Sequence, residues 1–469
     1  MTRIDRGIGG YNSPMSSDLP SYEEAAALVA ARARKLAKLT NPRTERVPLA
    51  HAAGRILATA IAADDDQPPF ARSTRDGYAC RAAEASAHNA LPIAGSTHAG
   101  QPPAGPLPKG QAWEIMTGAP VPAGADCVVM LEHVAKSANK VRLLQKRTIK
   151  PGENVVAKGA QGHRGDEQLP AGAKLGPAQI ALAASCGYAQ LDVYVRPRVA
   201  ILTTGDELVP VDANPGPGKI RNSNAPMLAA LVASAGAESI VLPTAADTAE
   251  ALDDALAQAL EADMLLISGG VSAGKFDLVE PALARLKATF HFTGVRIQPG
   301  KPLVFGKLPR QVPGMKTLYL DNRPSPKNAT VSGNEFSRAK KPAKTKGALA
   351  PEAIPFFGLP GNPISSAATF HLFAAPILAA LAGSSETHPR FVLASLSRDT
   401  DRKTKPGLTR FLPALCEFNS SINRLPQVAL IPWHGSGDLT AFAQSNCFLV
   451  IPEDAGFLEA GSTVLILLH

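Results

Sequence analysis

Apolar and polar positions follow three different rhythms along this chain. At the start, "PSYEEAAALVAARARKL" repeats its apolar residues at helical spacing, and Ser21 stands three residues before Glu24, the signature of a capping box. From about Val47 to Val141 the pattern shortens to brief apolar segments broken by Gly, Pro and Asp, which predicts a β-rich module. An irregular stretch then leads into the helical "PAQIALAASCG", read as packing back on the first helix. From Arg198 strand and helix alternate: "RVAILTT", "ESIVLPT", "DMLLIS", "PLVFG" and "IPFFG" read as strands. Between them lie "NAPMLAALVASAG", capped by Asn224 and closed by Gly236, "TAEALDDALAQALEA", and a helix beginning near Asp277. The last helix of this series follows Pro363 and carries Pro376, which predicts a kink. Alternation of this kind argues for a parallel sheet covered on both faces. Beyond Ser384 the runs become short and alternating, as in a small all-β domain.

The expected fold class is therefore multidomain α/β plus β. Residues 1–46 and 142–196 read as a discontinuous domain, 47–141 as a β-rich domain, 197–384 as a parallel-sheet α/β domain and 385–469 as a small all-β terminal domain. At 469 residues, 45% hydrophobic and 19% charged, the composition is that of a globular chain with more than one core. The uninterrupted apolar runs are far shorter than the roughly 20 residues of a membrane-spanning helix, and "MTRIDRGIGGYNSPM" has no apolar signal core. A cytoplasmic protein with no membrane partner is the expectation. Cys80, Cys127, Cys186, Cys416 and Cys447 show no C-x-x-C spacing, so they read as buried free thiols. Much of the net charge of +8 lies in "SRAKKPAKTKG", inside a polar insertion at about 308–353. A segment so poor in apolar residues reads as a solvated loop, and no nucleic-acid partner is expected.

Three glycine-bearing turns carry the candidate chemistry. "TTGDEL", "SGGVSAGKFD" and "GLPGNPIS" each follow a predicted sheet strand, and in an open parallel sheet ligands bind along the edge where strands end. Gly269, Gly270 and Gly274 would let backbone N–H groups approach an anion, with Ser272 adding a hydroxyl donor. Glu207 and Asp277 are hard oxygen ligands suited to Mg²⁺, and Lys301 in "QPGKP" supplies a point charge. Tight-turn glycines, helix caps at Asp206 and Asp277, and rigid turns at Pro360 and Pro363 explain each residue singly. Recurrence at three equivalent strand ends favours a shared anion site.

The motifs "PPFARSTRDGYA", "IMTGAPVPAGADCVVM", "PGENV", "RPRVAILTTGDELV", "SGGVSAGKFD", "QPGKPLVFG", "FGLPGNPIS" and "HGSGDL" resemble, in order, those of the molybdopterin molybdenumtransferase (MoeA) family, to which the gephyrin E domain is related. The resemblance runs from Tyr22 to the end of the chain. It implies a transferase of molybdenum cofactor biosynthesis that inserts molybdate into adenylylated molybdopterin and releases AMP with Mg²⁺ as cofactor. It also implies that the split domain 1–46 and 142–196 is elongated, that the terminal domain 385–469 is β-barrel-like, and that the protein is a homodimer, with molybdoenzymes or their chaperones as further partners. A scaffold that keeps the same fold to bind a partner protein is the alternative. By resemblance, Glu207 and Asp277 hold metal or the phosphate end, with Asp247 a further metal ligand. Lys301, Ser272, Pro360, Asn362, Pro363 and Ser365 contact substrate, as does Ser436, and Asp76 and Thr117 complete the cleft from the β-rich domain. Three departures stand out. Thr74 and Arg75 replace a small residue and methionine, and Gln298 stands where lysine is frequent. The loop Val156, Ala157, Lys158, Gly159, Ala160, Gln161 lacks the family's acid unless Asp166 or Glu167 supplies it.

Overall fold

The first helix, Tyr22–Leu39, starts as its sequence dictates. Glu24 N–H donates to Ser21 Oγ (3.2 Å), and Ser21 N–H donates to a Glu24 carboxylate oxygen (2.8 Å). Ala25, Val29 and Ala33, spaced by four, form its buried stripe, which packs on the helix Ala375–Leu381. The computed structural model describes residues 19–39, 43–86, 88–102, 105–144, 147–270, 278–310, 352–400, 407–418 and 424–469. The basic insertion, apart from its ends, lies outside these. Two compact units are present: 19–45 with Tyr194–His469, and Arg46–Val193.

In the first unit a six-stranded sheet runs in the order Glu238–Val241, Arg198–Thr203, Met264–Ser268, Ala353–Leu359, Val304–Pro309, Thr289–Thr293. Its first four strands are parallel, and Val304–Pro309 runs antiparallel to both its neighbours, Ala353–Leu359 and Thr289–Thr293, so the expected parallel sheet is mixed at one edge. Only residues 294–303 join Thr293 to Val304, too short a link for the crossover that a parallel neighbour needs. Alternate residues feed opposite cores: Val199, Ile201, Met264, Leu266 and Phe357 face one side, Ala200, Leu202, Leu265, Ile267 and Phe356 the other. Both faces are covered, which is why these strands read as continuous apolar runs.

The helix Asn224–Ser234 ends at Gly236 as expected, with φ +82° there. Its cap is not Asn224, however, but Asn222, whose Oδ1 accepts from Ala225 N–H (3.1 Å). The segment Pro363–Leu381 meets Pro376 with a π turn over Phe370–Ala374, so the hydrogen-bond register shifts just before the residue that has no N–H to give. Among the described residues this is the one helix long and apolar enough to cross a membrane, with mean hydropathy 1.6, and 83% of it is buried as core.

The strands Phe391–Leu396, Thr409–Glu417, Gln427–Leu430, Cys447–Ile451 and Thr463–Leu468 close into a five-stranded barrel, because Thr409–Glu417 pairs with both Gln427–Leu430 and Cys447–Ile451. Closure removes exposed edges and encloses Leu396, Cys416, Val428, Leu449 and Ile466. Phe411, Phe448 and Leu467 join the core of the sheet, and Tyr22 sits edge-on to Phe373, Phe391 and Phe411.

Burial pushes the imidazoles of His371 and His469 down to about 4, with each ring packed near the other at 6.0 Å between centroids. A histidine kept neutral by burial binds its proton more readily once unfolded. The folded state therefore carries no penalty above pH 6.5 and loses stability as pH falls from 6.5 toward 4, by on the order of 3 kcal/mol for His371 and by less for His469, which is exposed at the surface. Melting scans across this range should show that loss, and His371→Phe should reduce it. A flat profile in the variant and the parent alike would contradict the assignment.

In the second unit, Cys127–Met130, Gly77–Cys80, Ala112–Ile115, Leu91–Thr97, Lys140–Leu143 and Val134–Ser137 make a six-stranded sheet in that order. Tyr78, Cys80, Cys127 and Val129 fill one of its cores, while Leu57, Ile61, Leu175 and Leu191 form another in the same unit. All five cysteines are free and buried, as expected.

Candidate active site

Three parallel strands finish level with one another. Thr203 pairs with Ser268, and Ser268 with Leu359, so the turns that follow are forced together. They line a cavity of about 320 Å³ walled by Glu207 and Asp247, Gly269 and Gly270, Pro360 and Asn362. That volume suits a small ligand. Gly269 adopts φ +93°, and a Cβ there would lie 2.5 Å from the Thr204 carbonyl oxygen. Gly270, at φ +63°, would meet the Val279 side chain at 2.6 Å. Close backbone approach therefore requires both glycines.

Glu207 is exposed on this wall, and its carboxylate folds over Gly205, where a Cβ would come within 2.5 Å of Oε2. Asp247 is tied on both oxygens: Oδ1 accepts from Thr204 Oγ1 (2.5 Å) and Oδ2 from Asp206 N–H (3.4 Å). Asp206 returns the bond by accepting from Asp247 N–H (3.2 Å) and leads into the short strand Leu208–Val209 rather than a helix. Asp247 thus braces the first turn from a neighbouring loop.

Asn362 Nδ2 donates to Ser436 Oγ (2.9 Å), and Ile364 N–H donates to the Ser436 carbonyl (3.1 Å). Ser436 is thereby brought to the third turn. Pro363 and Ser365 are buried in the first turn of the helix behind it and are not on the cavity wall. Lys301 is exposed and precedes Pro302, which is on the wall. Gln298 Oε1 accepts from Arg410 Nε (3.0 Å), and Arg410 itself is buried, so the amide replaces a lysine at a place already served by a guanidinium. Ser272, Gly274 and Asp277 lie outside the described residues.

Asp76 and Thr117 belong to the second unit. Gly77 opposes Ile115 in an antiparallel pair, which sets Asp76 and Thr117 at one end of neighbouring strands. Asp76 Oδ1 accepts from Thr117 N–H (2.6 Å) and Oγ1 (2.8 Å), and these two bonds hold the Asp76 carboxyl below the usual carboxylate range. Thr117→Val removes the hydroxyl bond and keeps the amide bond. The Asp76 pKa should rise yet stay below that of a free aspartate, as read by NMR titration; an unchanged value would place the effect elsewhere. Asp166 Oδ2 accepts from His163 N–H (2.7 Å), so that acid is engaged locally, while Glu167 lies exposed in a strand paired with Ala62.

Sequence reading missed Thr204, Asn224 and Arg410. Asn224 Nδ2 donates to Ser268 Oγ (2.9 Å) and to the Gly361 carbonyl (2.6 Å), joining the second and third turns. An asparagine at a helix start reads as a cap, and its long-range partners leave no local trace.

The mixed sheet with its edge cavity and closed barrel defines a multidomain protein of the molybdopterin-binding type. A family model described as a probable molybdopterin binding domain matches residues 200–380. Models for the MoeA N-terminal region (domain I and II) and the MoeA C-terminal region (domain IV) match 20–187 and 396–469. The chain is 35% identical over 461 residues to the molybdopterin molybdenumtransferase of Nostoc sp., covering 96% of this chain and 94% of that one. It is 31% identical to the protein of that name from Haemophilus influenzae, covering 93% of this chain and 96% of the relative. A crystal structure of the molybdopterin biosynthesis MoeA protein from Pyrococcus horikoshii OT3 superposes with TM-score 0.68 at 28% identity, covering 96% of this chain and all of that one. The chain belongs to the molybdopterin molybdenumtransferase (MoeA) family.

Proposed function

We propose that this protein is a molybdopterin molybdenumtransferase: it inserts molybdate into adenylylated molybdopterin and releases AMP, a step of molybdenum cofactor biosynthesis. The cavity at the level ends of three strands carries the reading, since backbone and side-chain groups of three turns converge on one space. Both substrates are multiply negative, and the site must gather them without oxidising the dithiolene sulfurs. Backbone N–H groups of glycine turns and the ammonium of Lys301 do this with redox-inert groups. Asn362, steadied by Ser436, presents a polar side chain to the same space.

The donor set fits Mg²⁺. Glu207 and Asp247 are hard carboxylate ligands on the wall, and among the described residues no group of three or more His, Cys, Asp or Glu side chains is gathered for a metal. Few protein ligands, completed by substrate phosphates and water, is how Mg²⁺ is commonly held. Glu207 and Asp247, with Asp277 by resemblance, would hold it. Bound there, the ion would offset charge on the phosphoanhydride. A homodimer acting in the cytoplasm belongs to the same reading, in which Asp76 and Thr117 serve the cleft of the partner subunit.

The test is incubation of the purified protein with adenylylated molybdopterin, molybdate and Mg²⁺. Release of AMP together with reconstitution of a molybdoenzyme supports the activity. Absence of both from a folded protein that still captures a partner would assign it a scaffolding role.

A further inference from the structure

Asn224 is the first residue of the helix Asn224–Ser234, but Asn222 does the capping, which frees the Asn224 amide to reach across to the sheet edge. Its NH₂ donates to Ser268 Oγ at the end of one strand and to the Gly361 carbonyl in the turn after the next. A carbonyl oxygen only accepts, so the contact to Gly361 fixes which way the amide faces. The consequence is that Asn224 Oδ1 is shielded from solvent and, among the described residues, has no hydrogen-bond partner. Burying an amide oxygen unmatched is unfavourable, and only the two bonds of the NH₂ group offset it. Those bonds join the two turns that supply Gly269, Gly270, Gly361 and Asn362 to the cavity wall. The turns are close: a Cβ on Gly361 would stand 3.7 Å from Gly269 Cα, and Gly269 N–H donates to the Leu359 carbonyl (3.3 Å).

We infer that Asn224 is a positioning residue of this site: its amide clamps the Gly361 turn to the Ser268 strand end and so fixes the spacing of the backbone groups that face the anionic substrate. The inference rests on the proposed reading of the cavity as the substrate site. A clamp has a signature that space-filling lacks. Asn224→Asp keeps the shape and places an oxygen against the Gly361 carbonyl, whereas Asn224→Ala deletes the contact. If the side chain merely fills space, the aspartate is the milder change. If the NH₂ clamps, the aspartate is the more harmful.

Both variants should lower kcat for AMP release about tenfold or more, with aspartate below alanine, because misplacing aligned groups slows reaction steeply. The aspartate variant should regain activity relative to the parent as pH falls, since a protonated carboxyl can again donate to Gly361. Hydrogen exchange at the Gly269 amide should quicken in both. An aspartate variant milder than alanine, or Gly269 exchange unchanged in both, would overturn the clamp. If the parent itself releases no AMP, the functional reading fails, and the clamp is decided by the exchange measurement alone.

Discussion

Glu207→Gln is expected to slow AMP release about 100-fold or more while leaving the melting temperature within about 2 °C of the parent. The side chain is exposed on the cavity wall and contributes nothing to either core of the sheet. Substitutions at such places usually change stability by no more than about 0.5 kcal/mol. Glutamine keeps the shape and one acceptor oxygen, so the loss isolates the negative charge that a divalent ion beside the phosphate would require. Gly205→Ala tests the same group by displacement. The new methyl would enter the space of the Glu207 carboxylate, 2.5 Å from Oε2, and at φ +143° the backbone resists it as well. Turnover should fall although the carboxylate remains chemically intact. Full activity of Glu207→Gln at limiting Mg²⁺ would remove Glu207 from the site and leave it a surface acid.

How far the site could be read from sequence depends on the range over which each residue makes its partners. The three turns were legible because each is announced locally, by glycines after an apolar run, and because parallel strands of similar length must end at one edge. The capping box at Ser21 and the closure at Gly236 are likewise written within four residues of where they act. The antiparallel edge was lost because apolar strands read alike in either direction; only the short link 294–303 betrays it. Asn224, Asp247 and Arg410 act through partners 41 to 137 positions away, and no periodicity encodes such pairs. Asn224 was even legible as the wrong thing, since its residue type and place suit a cap that its neighbour Asn222 in fact provides. Gln298 looked like a loss until Arg410 was placed beside it.

Gly269→Ala is expected to be the most damaging single-methyl change in the cavity, costing about 3 kcal/mol or more and lowering the melting transition by about 6 °C or more. Two costs combine. At φ +93° an alanine pays the left-handed penalty of about 1–2 kcal/mol. Its Cβ would also lie 2.5 Å from the Thr204 carbonyl oxygen, which is backbone at the end of a central strand and cannot rotate aside. Either the Thr204 turn or the Gly269 turn must shift, and the Gly269 N–H bond to Leu359 stretches with it. Asp247 holds Thr204 through its hydroxyl, so displacement spreads to the carboxylates of the wall. Two other glycines calibrate the result. Gly270→Ala shares the positive φ, but its obstacles are methyl groups of Val279 and Thr204 rather than backbone, so the loss should be smaller. Gly216 has open space around it, and Gly216→Ala should be neutral. The order Gly269, Gly270, Gly216 in both melting temperature and AMP release is the expected outcome. Equal effects at Gly269 and Gly216 would mean that the turns do not approach as closely as the cavity requires, and the shared anion site would lose its geometric basis.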